Sequence, residues 1–152
     1  MILGEALLLR ADLQKQILSL RDRLELNAKT QENESPSEHP QILFEAFESV
    51  IQQYEQIVVA INKANFSTKL ADDRTLTEVL AHREVLKKKH TTLLAVARKG
   101  LPETNRYSER EIKWVSIVDV EDLRKQADIV ANEIRELNVQ IQKVNWETEI
   151  NL

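Results

Sequence analysis

The chain has 152 residues, 42% of them hydrophobic and 30% charged, which describes one globular domain with a core of its own rather than a disordered chain. Two glycines, three prolines and 5% aromatics exclude a turn-rich β-sandwich or barrel and a glycine-rich nucleotide fold. With no cysteine there are no disulfides, thiolate metal sites or cysteine nucleophiles, and a formal charge of −4 gives no basic footprint for nucleic acid.

Four segments carry helical periodicity. The first runs from about Ile2 to Ala28 and is followed by a polar loop, Thr30 to Glu38, with Ser35-Pro36-Ser37 inside it. The second runs from Pro40, a residue suited to a first helical turn, to about Asn65. The link Ser67 to Arg74 leads into Thr75-Leu76-Thr77-Glu78, a capping box in which hydroxyl and carboxylate satisfy orphan amides reciprocally. The third helix then runs to about Lys99, where Gly100 and Pro102 stop it. The fourth starts near Asp119, an N-cap candidate with Asp122 in the first turn, and runs to about Asn145.

The apolar spacing supports each helix. Leu43, Phe47, Val50, Tyr54, Ile57, Ile61 and Ala64 recur at alternating gaps of four and three, as do Leu123, Ala127, Val130, Ile134, Leu137, Ile141 and Val144. The first and third helices carry the same stripe, with Arg10, Arg83 and His90 on the seam. Four seams of this period predict an all-α, up-down-up-down four-helix bundle. The chain also reads as duplicated. Leu3, Glu5, Leu7, Arg10, Leu13 and Lys15 match Leu76, Glu78, Leu80, Arg83, Leu86 and Lys88 at an offset of 73. Ile61, Lys63, Asn65, Phe66 and Thr68 match Ile141, Lys143, Asn145, Trp146 and Thr148 at an offset of 80. The expected organisation is one domain over 1–152, built from repeat halves of about 1–68 and 74–148. Between the third and fourth helices, Glu111 to Val118 is β-branched and aromatic and reads as a short strand, which must pair with another segment or with a second subunit.

The seam arginines are the leading candidate site. Arg10 and Arg83 stand where an apolar residue is expected, and the topology places Glu5, Glu78, Asn65, Asn145 and Trp146 at the same end of the bundle. A guanidinium taken out of water needs a carboxylate or several acceptors. The cluster is therefore either a pocket in which Arg10 and Arg83 grip a small anionic ligand bidentately, or a polar layer that fixes helix register or sends its arginines outward. Arg83 and His90, spaced R-x6-H on one helix face, are similar to the Arg/His pair of all-helical HEPN nucleases, the basis for an alternative RNA-directed hydrolase. Glu78 and His82 lie at i, i+4 and have no second Glu-x-x-His to complete a di-iron centre, and no nucleotide loop or serine elbow occurs, so neither metal nor cofactor is expected. Lys87-Lys88-Lys89 reads as a solvated face. Phe44, Ile51 and Val58 widen the apolar face of the second helix, either as core or as a self-association surface.

Leu9-Arg10-Ala11-Asp12-Leu13-Gln14, Arg74-Thr75-Leu76-Thr77-Glu78, Arg106-Tyr107-Ser108 followed by Glu111-Ile112-Lys113, and Asn145-Trp146 resemble the septicolysin family of small bacterial helical proteins over nearly the whole chain. The family pattern includes Arg10 and Asn145, and the family name implies a membrane-active cytolysin. The residues themselves favour a different expectation: a cytoplasmic, non-enzymatic bundle protein that forms a homo-oligomer and binds a partner or small anion. No targeting leader and no apolar run long enough to span a bilayer is legible in the sequence.

Overall fold

The computed structural model describes residues 1–101 and 114–151. It contains four helices, α1 (Leu3–Leu26), α2 (Pro40–Ser67), α3 (Leu76–Lys99) and α4 (Val120–Glu147). The described residues hold isolated bridges but no β-strand. The fold is all-α and of the four-helix-bundle class expected from the seams. The chain divides into two compact units, Met1–Lys69 with Gln142–Leu152 and Leu70–Ile141, so α4 begins in the second unit and ends in the first.

In the first unit α1 and α2 form an antiparallel hairpin. Leu3, Ala6, Leu13 and Leu20 of α1 and Leu43, Ile57, Ala60, Ile61 and Ala64 of α2 are buried, which is the i, i+3, i+4, i+7 stripe that a packed helix presents. Gln14 Nε2 donates to the Tyr54 hydroxyl across the pair at 2.9 Å. Pro40 occupies the first turn of α2, where its missing N–H costs nothing. The end of α4 joins this unit through the antiparallel bridge Ile2–Glu149.

The second unit is the corresponding hairpin of α3 and α4, with Leu76, Val79, Leu86, Ala97, Ala127, Val130, Leu137 and Ile141 buried. The Thr75 box forms as expected: the Glu78 amide donates to the Thr75 hydroxyl at 3.3 Å, and the Glu78 carboxylate accepts from the Thr75 amide at 2.7 Å. Asp119 caps α4, accepting from the Asp122 amide at 2.9 Å.

The two units repeat one local design. The helix lengths are 24, 28, 24 and 28 residues. At an offset of 73, Glu5 accepts the Ile2 amide at 3.0 Å just as Glu78 accepts that of Thr75. Leu70 N–H donates to the Arg74 carbonyl at 2.9 Å, and Ile150 N–H donates to that of Met1 at 2.8 Å. Leu70 and Ile150 are both buried. The turn that connects α2 to α3 is therefore built like the place where the chain's two ends meet.

Among the described residues the expected strand is not formed. Trp114 to Val118 has no ladder partner and runs as irregular chain, while Glu111, Ile112 and Lys113 lie outside the described residues, as does Pro102. β-Branched composition favours an extended backbone but supplies no neighbouring edge, and without one there is no strand.

Candidate functional site

The predicted site residues fall in both units. Within the first, the α1–α2 register puts Asn65 at the end of the hairpin where α1 begins, and the bridge from Ile2 to Glu149 brings Asn145 and Trp146 to that same end. The Trp146 ring lies flat against the first turn of α1. A Cβ added at Gly4 would stand 2.9 Å from Trp146 Cδ2 and 3.0 Å from Cε3, so only glycine lets the ring approach this closely. Asn145 is buried, whereas Trp146 is half-exposed. Glu5, Asn65, Asn145 and Trp146 thus share one end of this unit, and Arg10 lies about two turns along α1 from its start. Glu78 and Arg83 belong to the second unit.

The two carboxylates of the candidate set cap helix ends. Glu5 accepts the Ile2 amide, and Glu78 accepts both the amide and the hydroxyl of Thr75. Both roles place negative charge against the positive end of a helix.

The arginines behave alike in one respect. Among the described residues, Nε of Arg10 and Nε of Arg83 are buried and have no hydrogen-bond partner. Arg83 Nη1 donates to Asn138 Oδ1 at 3.2 Å, and its Nη2 lies 3.3 Å from Glu84 Oε1. The position equivalent to Asn138 in the first half is Val58, which offers Arg10 no such amide. His90 is half-exposed on α3.

Sequence reasoning missed two polar devices. At the far end of the first hairpin, Arg23 Nε donates to Glu38 Oε2 at 2.9 Å, and its Nη2 donates to Oε1. Beneath them buried Asn27 donates to the Arg23 carbonyl and accepts the Glu38 amide, both at 2.9 Å. The hydrogen bond between them raises the Arg23 pKa and lowers that of Glu38. In the second unit Asp72 accepts Arg74 Nε at 2.8 Å, which lowers the Asp72 pKa. Arg74 is raised, chiefly by that bond and further by the charges of Asp72, Glu78 and Glu133. His82 Nε2 lies 3.1 Å from Glu133 Oε1 on the same unit. The clue to the Arg23 clamp was positional: Arg23 stands in the last turn of α1 and Glu38 just before the start of α2.

Among the described residues no group of three or more His, Asp or Glu could hold a metal ion. Among the same residues no helix is long and apolar enough to cross a membrane.

Residues 10–150 match the model of a family of unknown function, DUF6847. The fold matches the crystal structure of a functionally unknown conserved protein from Corynebacterium diphtheriae, with a TM-score of 0.92, 36% sequence identity and 99% of each chain covered. No curated protein matches the sequence.

Proposed function

The chain belongs to DUF6847, a family of unknown function, and we propose that it is a non-enzymatic helical interaction protein that self-associates and binds small oxyanions at Arg10 in the first unit and at Arg83 in the second. The observation that carries the ligand is the doubled orphan donor: Nε of both arginines is buried without an acceptor. A buried N–H left unpaired costs about 1–3 kcal/mol, and here the cost is met at equivalent positions of two separately built hairpins. A carboxylate or phosphate oxygen supplies the missing acceptor, and the planar guanidinium is the side chain suited to it. In the first unit Glu5, Asn65, Asn145 and Trp146 stand with Arg10 as its candidate set, and in the second Glu78 stands with Arg83, each unit taken by itself.

Arg10→Met and Arg83→Met test this directly. Replacing a buried cation by an apolar chain of similar length is neutral or stabilising where the cation is only structural. The wild-type protein should gain thermal stability with rising inorganic phosphate or acetate, by linkage to ligand binding. Each variant should fold and lose its own site's share of that gain. A wild-type melting temperature unmoved by either anion refutes the anion reading.

A further inference from the structure

We propose that the apolar surface at the α3–α4 end of the second unit is the contact between two copies of this chain, which deepens the self-association part of the reading above and rests on it. Val96, Gly100, Leu101 and Trp114 to Val118 line a cleft of about 440 Å³. Trp114 is 84% exposed, Val115 75% and Ile117 96%, while Leu101, Val96 and Val118 are each exposed by a third or more.

The duplication shows that closing the hairpin does not require this surface. Counting back from the helix that follows, Trp114-Val115-Ser116-Ile117-Val118 stands where the first half has Glu34-Ser35-Pro36-Ser37-Glu38. The first half closes its loop with the Arg23–Glu38 pair over Asn27. The second replaces those three residues by Val96, Val118 and Gly100. The Val118 methyl fits against the backbone there: a Cβ at Gly100 would lie 2.6 Å from Val118 Cγ2. Val118 therefore accounts for closure, and among the described residues Trp114, Val115 and Ile117 are left exposed, without a packing role.

Area and charge point to a second copy as the occupant. Trp114, a side chain of about 150–250 Å², is mostly open, and the five aliphatic residues bring the exposed apolar area to the order of 600 Å². That is the upper end of what a monomer leaves uncovered and most of the ~800 Å² each partner gives to a standard interface. The rim is self-complementary. α3 ends in Arg98 and Lys99, and α4 begins with Glu121 and Asp122. A twofold contact sets each residue's partner reciprocally, so the basic edge of one copy meets the acidic edge of the other twice. An anionic lipid surface would meet the acidic edge as well and be repelled by it.

Sedimentation at micromolar concentration tests the proposal in four forms of the whole chain. The wild type should be a dimer, and Trp114→Glu should raise its dissociation constant by a hundredfold or more without altering helix content. Two charge variants separate interface from folding: one carries Arg98→Glu and Lys99→Glu, the other Glu121→Lys and Asp122→Lys. Each alone should be monomeric, and an equimolar mixture should dimerise, because only the mixed pair restores opposite charges on both sides. A wild-type dimer that all these variants retain overturns this surface while leaving self-association standing. A monomeric wild type overturns both. So does a monomer whose tryptophan emission shifts to the blue on vesicles of phosphatidylcholine and phosphatidylserine, since that surface would serve lipid.

Discussion

If the two junctions of the duplicated chain are equivalent, the protein should tolerate having its ends exchanged. Joining the present termini and opening the chain between Asp72 and Asp73 makes the test. In the α2–α3 turn three residues, Ala71, Asp72 and Asp73, separate Leu70 from Arg74, whose backbones are bonded at 2.9 Å. Ile150 and Met1 are bonded in the same sense at 2.8 Å, with Asn151 and Leu152 following Ile150. One inserted residue therefore reproduces the turn. It falls at the place of Asp73, whose φ of 67° lies in the left-handed region that glycine enters without cost, so the linker is a single glycine. Opening the old turn lets the Leu70–Arg74 bond fray at a net cost of about 1 kcal/mol and parts Asp72 from Arg74, an exposed pair of the kind whose loss adds little. Closing the new one pins the Ile150–Met1 bond and returns a similar amount, and the loop entropies nearly cancel because the two turns have equal length. The permutant should match the parent in helix content by circular dichroism. Its urea-denaturation stability should lie within about 1 kcal/mol of the parent, with a melting shift of no more than about 2–4 °C. A loss beyond about 3 kcal/mol, the size of a core lesion, or a reduced urea m-value, would show that the junctions are not equivalent.

Asn27→Ala removes a hydrogen bond to the Arg23 carbonyl within the end of α1 and one from the Glu38 amide that ties this end to the segment before α2, and should cost about 1–3 kcal/mol, with faster hydrogen exchange at the Glu38 amide; unchanged exchange there would refute the clamp. The carboxyls of Glu38 and Asp72 are held below their ordinary values, first by side-chain hydrogen bonds from Arg23 and Arg74. Since the folded state lowers these pKa values, the stability they add is whole above the usual carboxylate value of about 4 and is lost as pH falls through the lowered folded-state values. Acid unfolding followed by circular dichroism should therefore be shallower in Glu38→Gln than in the wild type, and coincident curves would count against the pair.

The helices were legible because packing is written into spacing. Leu3, Ala6, Leu13 and Leu20 are buried at the intervals that the seam required, and Thr75 with Glu78 signals a helix start that no tertiary context needs to supply. The duplication was legible for the same reason, and could have been pressed further: a capping Glu78 implies a capping Glu5 at the same offset, yet both were expected beside the arginines. The Arg23–Asn27–Glu38 device was not legible. Its members lie on either side of a polar loop, where nothing periodic marks who meets whom, and their pairing depends on the loop's path. Asn138 escaped notice because it stands next to the seam position Leu137 rather than on the stripe. Trp114 to Val118 misled in the other direction, because strand propensity is a statement about fitting a sheet, and its described residues have no sheet to fit.

A duplicated fold carries its own control. Where the halves agree, as at Leu3 and Leu76 or Glu5 and Glu78, the residue does what any such hairpin needs: it fills the core or caps the helix. Where they differ, as at Glu34–Glu38 against Trp114–Val118, one half has taken on something the other lacks. Arg10 and Arg83 agree, but in a feature that no hairpin needs, a buried donor with nothing to bond. The structural hydrogen bond that Arg83 makes to Asn138 is not part of the agreement, for its counterpart in the first half is Val58. A guanidinium placed to make that bond would have no reason to persist opposite a valine. What the two arginines share is the unfilled Nε–H, and the oxyanion proposed above would supply its acceptor.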